Sequence, residues 1–337
     1  MTKTPLSACS LFSSAKTFKP FYYDFAHEAF TQHENSHWTP AEVNMQQDYA
    51  RYTHLDPNLQ HFIRSTMLFF TQGDIEIMES YVRMYFMHFK NLEVTRMLAS
   101  IAARESTHVV AYALLQSSLG LADSEFSEFK NVEQIVNKIS HAEENTPESI
   151  DSIEDMMKAV FVNSIFGEGV SLFSIFSVVY SIADKLVLQG LQSTTLWSIV
   201  DESQHVEFMT NLYNVMKECI PEENLKEVED FVISFIEKGM EIESEFIRWL
   251  LKGDPEREAI ASYDDIMKYV YAVANSKVEA IGLGHRFTKY KGIDNTKNPV
   301  AIRMLEMTAD RVENTFEVRG TSYDKSIDMS KADKLIY

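Results

Sequence analysis

The chain has 337 residues, a formal net charge of −19 and a hydrophobic fraction of 45%, so it can bury a large core beneath an acidic surface. That charge disfavours nucleic acid as a partner, because phosphates would be repelled, and it suits a site that holds cations. Its 11 glycines and 8 prolines disfavour a β-sandwich or a Rossmann fold. Two cysteines without a CxxC pair exclude a disulfide scaffold and a cysteine-based zinc site.

In the first third of the chain, the pattern changes from irregular to helical. Residues 1–56 are aromatic and interrupted by prolines, which predicts an N-terminal extension. From about residue 57 to 90, apolar residues recur at helical spacing. Asn91 is a good N-cap for a second helix, which should run to the Leu-Gly pair at 119–120.

The rest of the chain predicts further long helices and then a polar tail. The segment TPESI at 146–150 has the features of a helix start, and Gly190 predicts a break between helices. No alternating run is long enough to demand a strand, so the predicted fold is all-α. The expected domains are the extension 1–56, a helical domain 57–290 and a C-terminal helix with a flexible tail, 291–337. Within the helical domain, helices are predicted at about 191–217, 222–251 and 257–282.

Membrane insertion and export are not expected. The longest apolar stretch, residues 170–183, is too short to span a bilayer and predicts a buried core helix. The N-terminus has no long apolar run, and the first arginine is Arg51, so neither a signal peptide nor a mitochondrial transit peptide is expected. These features predict a cytoplasmic protein.

The segment ARESTHVVAY places three polar side chains on one stripe of a predicted helix. Glu105, His108 and Tyr112 are separated by steps of three and four residues. A second Glu-x-x-His pair occurs at Glu202 and His205. A chain rich in these residues contains such pairs by chance, and a third pair in the irregular segment before WTP is attributed to chance.

The two helical Glu-x-x-His pairs are each preceded by an acidic residue in the previous helix. Asp74 lies 31 residues before Glu105, and Glu168 lies 34 residues before Glu202. Four antiparallel helices could then direct this set to a common centre, as in ferritin-like dinuclear carboxylate proteins, with Asp in place of one Glu. Carboxylates and imidazoles suit iron or manganese and leave positions open for O2. The alternative is that these histidines are ordinary core residues and the glutamates are exposed. The matched spacing, and the apolar run around Glu168, disfavour it.

Tyr112 distinguishes among di-metal bundle proteins. It follows His108 by one helical turn, whereas Met209 occupies the corresponding position in the second half. A phenol at that place can be oxidised by a high-valent metal centre. The alternative is a core tyrosine that bonds a carboxylate.

The order and spacing of six blocks resemble the radical-generating small (β) subunit of class I ribonucleotide reductase across nearly the whole chain. The blocks are KPFYYDFAHEAFTQHENSHWTPAEV, FFTQGDIEIMESYVRMYFMHFKNLEVTRML, ARESTHVVAY, WSIVDESQH, YAVANSKVEAIGL and NTFEVRGTSYDKS. The resemblance implies that Tyr112 stores the radical and that Trp38, Asp201 and Tyr323 carry it onward. It also implies six metal ligands: Asp74, Glu105, His108, Glu168, Glu202 and His205.

The same resemblance implies a cofactor, partners and a division of labour. Two transition-metal ions would activate O2, with an Fe/Fe pair as the first expectation and Mn/Mn and Mn/Fe left open by the donor set. The partners would be a large catalytic subunit, which binds the ribonucleotide, and a second copy of this chain. Leu172 and Ser198 stand where some members of the family have Phe and Ile, while Phe176 keeps the apolar wall of the radical pocket.

Two other functions remain as alternatives. A ferritin-like ligand-binding di-metal oxidase would share the fold and the metal ligands, but it would have no need of the tail motif FEVRGTSY. An iron-storage bundle would be about half this length and would not need Trp38 or Tyr323.

Overall fold

A computed structural model describes residues 2–14, 17–70, 72–251, 253–288, 298–302 and 304. The described residues form helices and no strands, which confirms the all-α prediction. In chain order the α-helices are α1 Asp24–Asn35, α2 Gln46–Tyr52, α3 Pro57–Phe70, α4 Gly73–Glu79, α5 Phe86–His88, α6 Leu92–Ser118, α7 Glu133–Asn145, α8 Ile153–Val160, α9 Leu172–Leu186, α10 Gln189–Lys217, α11 Glu222–Leu251, α12 Pro255–Ile260 and α13 Tyr263–Ala280.

Two stretches of π-helix join α-helices without a break. Residues Ser80–Tyr85 connect α4 to α5, and residues Phe161–Ser171 connect α8 to α9. The second stretch packs against α10 and α13, and α10 also packs against α6 and α9. The bundle core therefore lies between α6, α10 and the continuous run from α8 to α9.

That continuous run, Ile153–Leu186, is the most apolar part of the fold. By length and composition alone, its 34 residues would be long and apolar enough to cross a membrane. The sequence argument from the length of residues 170–183 therefore does not hold, because the helix extends well beyond them. In its most apolar part 94% of the residues are buried inside the structure, as expected for the central helix of a bundle.

The predicted helix start after Asn91 is confirmed, and the predicted start at TPESI is wrong. The Asn91 side chain accepts a hydrogen bond from the Val94 amide, which caps α6. In contrast, the Thr146 hydroxyl donates to the carbonyl of Ala142 and so belongs to the end of α7. The next helix begins at Ile153, where the Ser152 hydroxyl is the N-cap.

Gly190 does not separate the two helices as predicted. The break falls at Val187, which has a left-handed φ of 56°, and Gly190 lies in the first turn of α10. A glycine is needed at this position for another reason: a Cβ would lie 3.0 Å from both the Asp48 carboxylate and the Met45 backbone. The close approach lets Asp48 accept hydrogen bonds from the amides of Gly190 and Leu191.

The described part of the N-terminal segment packs onto the bundle. Helix α1 contacts α6 and α10, and Leu11 and Trp38 are almost fully buried. The division of the chain into an extension 1–56, a helical domain 57–290 and a tail 291–337 stays a prediction. Most of 291–337, including Tyr323, lies outside the described residues.

Candidate metal centre

The six predicted ligands lie on four helical segments and are all buried. Asp74 is on α4, the Glu105–His108 pair on α6, Glu168 on the π-helix Phe161–Ser171, and the Glu202–His205 pair on α10. Each is at most 1% exposed. Glu105, Glu168, Glu202 and His205 each place a donor atom within 4.8 Å of the others.

Both histidines direct Nδ1 at the carboxylates. Nδ1 of His205 lies 2.8 Å from Glu105 Oε1, 3.1 Å from Glu202 Oε2 and 3.3 Å from Glu168 Oε2. Nδ1 of His108 lies 3.0 Å from Glu202 Oε1 and 3.5 Å from Glu105 Oε2. Glu105 and Glu202 thus stand between the two imidazoles, where each could serve two metal ions.

The donor atoms of this cluster fit a pair of divalent cations. Buried carboxylate oxygens of Asp74, Glu105, Glu168 and Glu202, together with His108 Nδ1, make no hydrogen bond of ordinary geometry among the described residues, although several of them lie close to one another. Buried charges that lack a partner cost several kcal/mol each, so two divalent cations would stabilise these carboxylates. Oxygen-rich donors with one imidazole per metal suit iron and manganese.

The pKa values of the cluster show how it is balanced when protons replace cations. Burial raises the pKa of Asp74 well above its usual value, and the neighbouring carboxylates add to this effect. Burial and the Glu202 and Glu105 carboxylates likewise raise the pKa of Glu168 to about 8, against the opposing effect of His205. For His108 and His205, burial lowers the pKa but the surrounding carboxylates outweigh it, and both values rise.

The wide turn of π-helix places Glu168 in the cluster. The amide of Leu172 donates to the carbonyl of Gly167, five residues earlier, where an α-helix would use the residue four earlier. Glu168 Oε1 accepts a 2.8 Å hydrogen bond from the hydroxyl of Tyr81, which lies on the other π-helix. The two π-helices therefore meet at Glu168, a predicted metal ligand, and such turns occur frequently at functional sites.

Asp201 joins the cluster to Trp38. One oxygen of its carboxylate, Oδ2, accepts a 2.6 Å hydrogen bond from the Trp38 indole and lies 3.1 Å from His108 Nε2. Arg104 donates to both carboxylate oxygens at 2.9 and 3.0 Å. Although burial acts to raise the pKa of Asp201, His108 and Arg104 hold it well below its usual value. A buried anion thus fixes the outer nitrogen of His108, which is how ligand histidines are oriented.

Tyr112 is 1% exposed and lies in an aromatic pocket. Its ring stacks on Phe70 at a centroid distance of 4.3 Å, and Phe70 stacks in turn on Phe176 at 5.5 Å. Burial, and then the Asp74 carboxylate, raises the pKa of Tyr112 well above 10. Ser198 acts in the opposite direction, although neither hydroxyl completes a hydrogen bond of ordinary geometry among the described residues.

Three residues around the cluster were not predicted from the sequence: Arg104, Tyr81 and His33. The 2% exposed Arg104 sits beside Glu105 in an apolar helix, which was a usable signal. Tyr81 falls in the segment 57–90, where apolar residues recur at helical spacing, so its position indicates only a core residue. His33 gave no signal, because it lies in a polar stretch of α1. Its Nε2 is 3.0 Å from Nε2 of His205, and burial, followed by His205, lowers its pKa to about 2.

Comparison with known families decides which kind of metal bundle this is. The family described as ribonucleotide reductase, small chain, matches residues 15–299. The chain belongs to this family. The resemblance seen in the sequence is therefore confirmed, and the protein is a small chain of an oxidoreductase.

Individual relatives agree with the family and with the fold. This small chain is 27% identical over 351 residues to the probable ribonucleoside-diphosphate reductase small subunit 376L of Invertebrate iridescent virus 6, covering 93% of this chain and 95% of the relative. Dimanganese(II)-NrdF of Streptococcus sanguinis has a TM-score of 0.73 at 15% identity, covering 87% of this chain and 100% of that one. An R2-like ligand-binding oxidase with an Mn/Fe cofactor has a TM-score of 0.63 at 18% identity, covering 77% and 93%. The predicted ferritin-like fold is confirmed.

Proposed function

We propose that this small chain generates and stores the oxidising equivalent for a class I ribonucleoside-diphosphate reductase. The observation that carries the proposal is the buried line of hydrogen bonds from His108 through Asp201 to Trp38. A storage bundle needs ligands but no such line, whereas a subunit that exports a radical needs a continuous path from its metal centre.

The proposed metal ligands are the six buried residues of the cluster. When bound, two transition-metal ions would supply the reductive activation of O2. The donor set accepts iron and manganese alike. We propose an Fe/Fe pair. Mn/Mn and Mn/Fe pairs are the other candidates, because one structural relative is described as a dimanganese(II) protein and another as having an Mn/Fe cofactor.

Tyr112 is the proposed site of storage. Its raised pKa means that the phenol holds its proton until it is oxidised, so the electron and the proton leave together. Stacking on Phe70 and burial of the ring keep solvent away from the resulting radical. Ser198 is a polar group close enough to Tyr112 to lower its pKa, and we expect it to shorten the lifetime of the radical.

The proposed route continues beyond this chain. Trp38 would pass the equivalent to Tyr323, and Tyr323 to a large catalytic subunit that binds the ribonucleotide. Tyr323 and the tail at 318–337 lie outside the described residues, so their roles rest on the family resemblance. A homodimer and a cytoplasmic location are proposed on the same ground.

Metal loading followed by exposure to O2 tests this function. Protein loaded anaerobically with Fe(II) should bind about two ions per chain and, after O2, show a tyrosyl signal by electron paramagnetic resonance. Tyr112→Phe should keep the metal and lose the signal, and Glu202→Ala should lose metal. Tyr213→Phe is the matched control, because this buried tyrosine has Glu229 as its charged neighbour and should keep the signal.

Full metal content in both Glu202→Ala and Glu168→Ala would exclude the proposed centre. A tyrosyl signal that persists in Tyr112→Phe would exclude Tyr112 as its site.

A ligand-binding di-metal oxidase is the second candidate. A cavity of about 440 Å³ favours it, because a ligand-binding oxidase needs a space for its ligand near the metal centre. The cavity is lined by Lys138 and by Gly73 and Gly167, the chain neighbours of Asp74 and Glu168. An oxidase would turn over without a large subunit. Radical formation at Tyr112 with nucleotide reduction only when the large subunit is added would decide for the reductase.

A further inference from the structure

The two ligand histidines have different partners at their outer nitrogens. Nε2 of His108 faces the carboxylate of Asp201 at 3.1 Å. Nε2 of His205 faces another imidazole, that of His33, at 3.0 Å. His33 is 1% exposed, lies near the end of α1, and meets the His205 ring edge-on with an interplanar angle of 66°.

The contact between two imidazoles restricts which nitrogen carries a proton. If His205 gives the Nδ1 lone pair to a metal, its proton must be on Nε2. Nε2 of His33 must then be unprotonated, because two N–H groups cannot face each other at 3.0 Å. Nδ1 of His33 has no partner among the described residues, so this chain of contacts ends there.

Arg104 connects both outer partners. Its guanidinium donates a hydrogen bond to the Asp201 carboxylate through Nη1 and another to the backbone carbonyl of His33 through Nη2, at 3.4 Å. The same arginine therefore fixes the anion behind one ligand histidine and the helix end that carries the partner of the other. The sequence separates these groups widely, and the fold brings them to one buried place.

We infer that His33 is the positioning residue for the ligand His205. Its Nε2 accepts a hydrogen bond from Nε2–H of His205 and holds that ring with Nδ1 turned towards the carboxylates. The inference rests on the proposed function, because it needs His205 as a metal ligand. It predicts that changes at His33 weaken one of the two metals and leave the other, which His108 serves, nearly unchanged.

Metal titration of His33 variants tests this role. His33→Leu removes the acceptor and should weaken the second Fe(II) about tenfold to a hundredfold, as losses of outer partners do. His33→Gln keeps an acceptor oxygen and should bind both ions with affinities close to wild type. Mössbauer spectra of the Fe(II)-loaded His33→Leu protein should show one altered iron component and one unaltered.

The matched control is His141→Gln, which changes another imidazole hydrogen bond, to the Phe235 carbonyl, on the remote helix α7. Circular dichroism melting of each metal-free variant checks folding, and His33→Ala replaces His33→Leu if the bulkier leucine prevents it. Wild-type affinity for two Fe(II) in a folded His33→Leu or His33→Ala protein would overturn the inference. So would equal weakening in His33→Gln, which would mean that His33 only fills space. Failure of the wild type and His141→Gln to bind two ions would instead contradict the proposed function.

Discussion

At the scale of single residues, Asp201 is where the metal cluster meets the N-terminal segment. Trp38, Arg104 and His108 all converge on its carboxylate. Trp38 also lies against the His108 ring, at a centroid distance of 5.9 Å and an interplanar angle of 25°. Arg104 and His108 still hold the Asp201 carboxylate when the Trp38 indole is removed, so the function of Trp38 can be tested apart from the stability of the site.

We predict that Trp38→Phe keeps its metal and its Tyr112 radical but does not support nucleotide reduction with the large subunit. The change removes one hydrogen bond to a buried charge, which should cost about 1.5–3 kcal/mol of the free energy of unfolding. Trp197→Phe is the control, because that indole packs edge-on against Trp38 at 5.1 Å and leaves the Trp38–Asp201 bond in place. Turnover, metal content and urea unfolding of both variants check this. Normal turnover in Trp38→Phe would refute the proposed route.

Residue types at helical spacing, together with an acidic residue in each preceding helix, predicted the polar groups that gather at the cluster but not their neighbours Arg104, Tyr81 and His33. The structure brings Glu105, Glu202 and His205 together with Glu168, and His108 lies beside Glu202. His33 could not be predicted, because its contact depends on how α1 lies across α10, and no periodicity within α1 contains that information. The roles of the site residues stay predictions that the experiments above decide.

At the scale of elements, the π-helix Phe161–Ser171 is the feature that sequence periodicity could not reveal. A widened turn inserts one residue into an otherwise regular helical pattern. Most of this segment is buried, most of its polar residues included, so no solvent-facing polar stripe marks the shift in the sequence. Two glycines flank Glu168 there. A Cβ on Gly169 would lie 3.0 Å from Val206 and 3.1 Å from Lys277, whereas one on Gly167 would meet only the Val162 carbonyl, at 3.3 Å.

We predict that Gly169→Ala destabilises the fold and weakens metal binding more than Gly167→Ala does. The added methyl group pushes the π-helix away from α10 beside His205, and overpacking of this kind costs about 1–3 kcal/mol. In Gly167→Ala the new methyl group makes one close contact, with the Val162 carbonyl. Alanine favours the helix over glycine by about 1 kcal/mol, which should offset most of the free-energy cost of that contact. Thermal melting and Fe(II) titration of the pair provide the measurement. Equal effects of the two variants would show that the close approach of Gly169 does not position Glu168.

At the scale of the whole molecule, the start of the chain is fastened to helices that lie far away in sequence. Glu154, at the start of α8, accepts hydrogen bonds from the Thr4 hydroxyl at 2.7 Å, the Thr4 amide at 3.0 Å and the Asn224 amide group of α11 at 2.6 Å. Lys3 pairs with Asp155 at 2.5 Å. This cluster, Lys3, Thr4, Glu154, Asp155 and Asn224, holds the N-terminal segment that leads to His33 and Trp38.

The N-terminal cluster predicts a component of stability that disappears in acid. Burial acts to raise the pKa of Glu154, but hydrogen bonds from Thr4 and Asn224 outweigh it and hold the pKa below its usual 4.5. In the same way, hydrogen bonds from Lys3 and Ser152 hold the pKa of Asp155 below its usual 3.8. A carboxyl group whose pKa is lower in the folded state stabilises the fold above its unfolded pKa, and this contribution is lost as the pH falls through the folded value. The loss therefore lies below about pH 4.5.

We predict that Glu154→Gln lowers the free energy of unfolding by about 1–3 kcal/mol at pH 7, because an ionised acceptor of several hydrogen bonds is replaced by a neutral amide. The difference between wild type and variant should shrink as the pH falls from 5 to 3, since wild-type Glu154 becomes neutral as well. Urea unfolding of both metal-free proteins at several pH values measures it, and the subtraction removes the titration of the metal cluster. Glu241→Gln, in an exposed pair with Lys238, should match wild type throughout. A difference that stays constant down to pH 3 would mean that the Glu154 charge does not fasten the N-terminal segment.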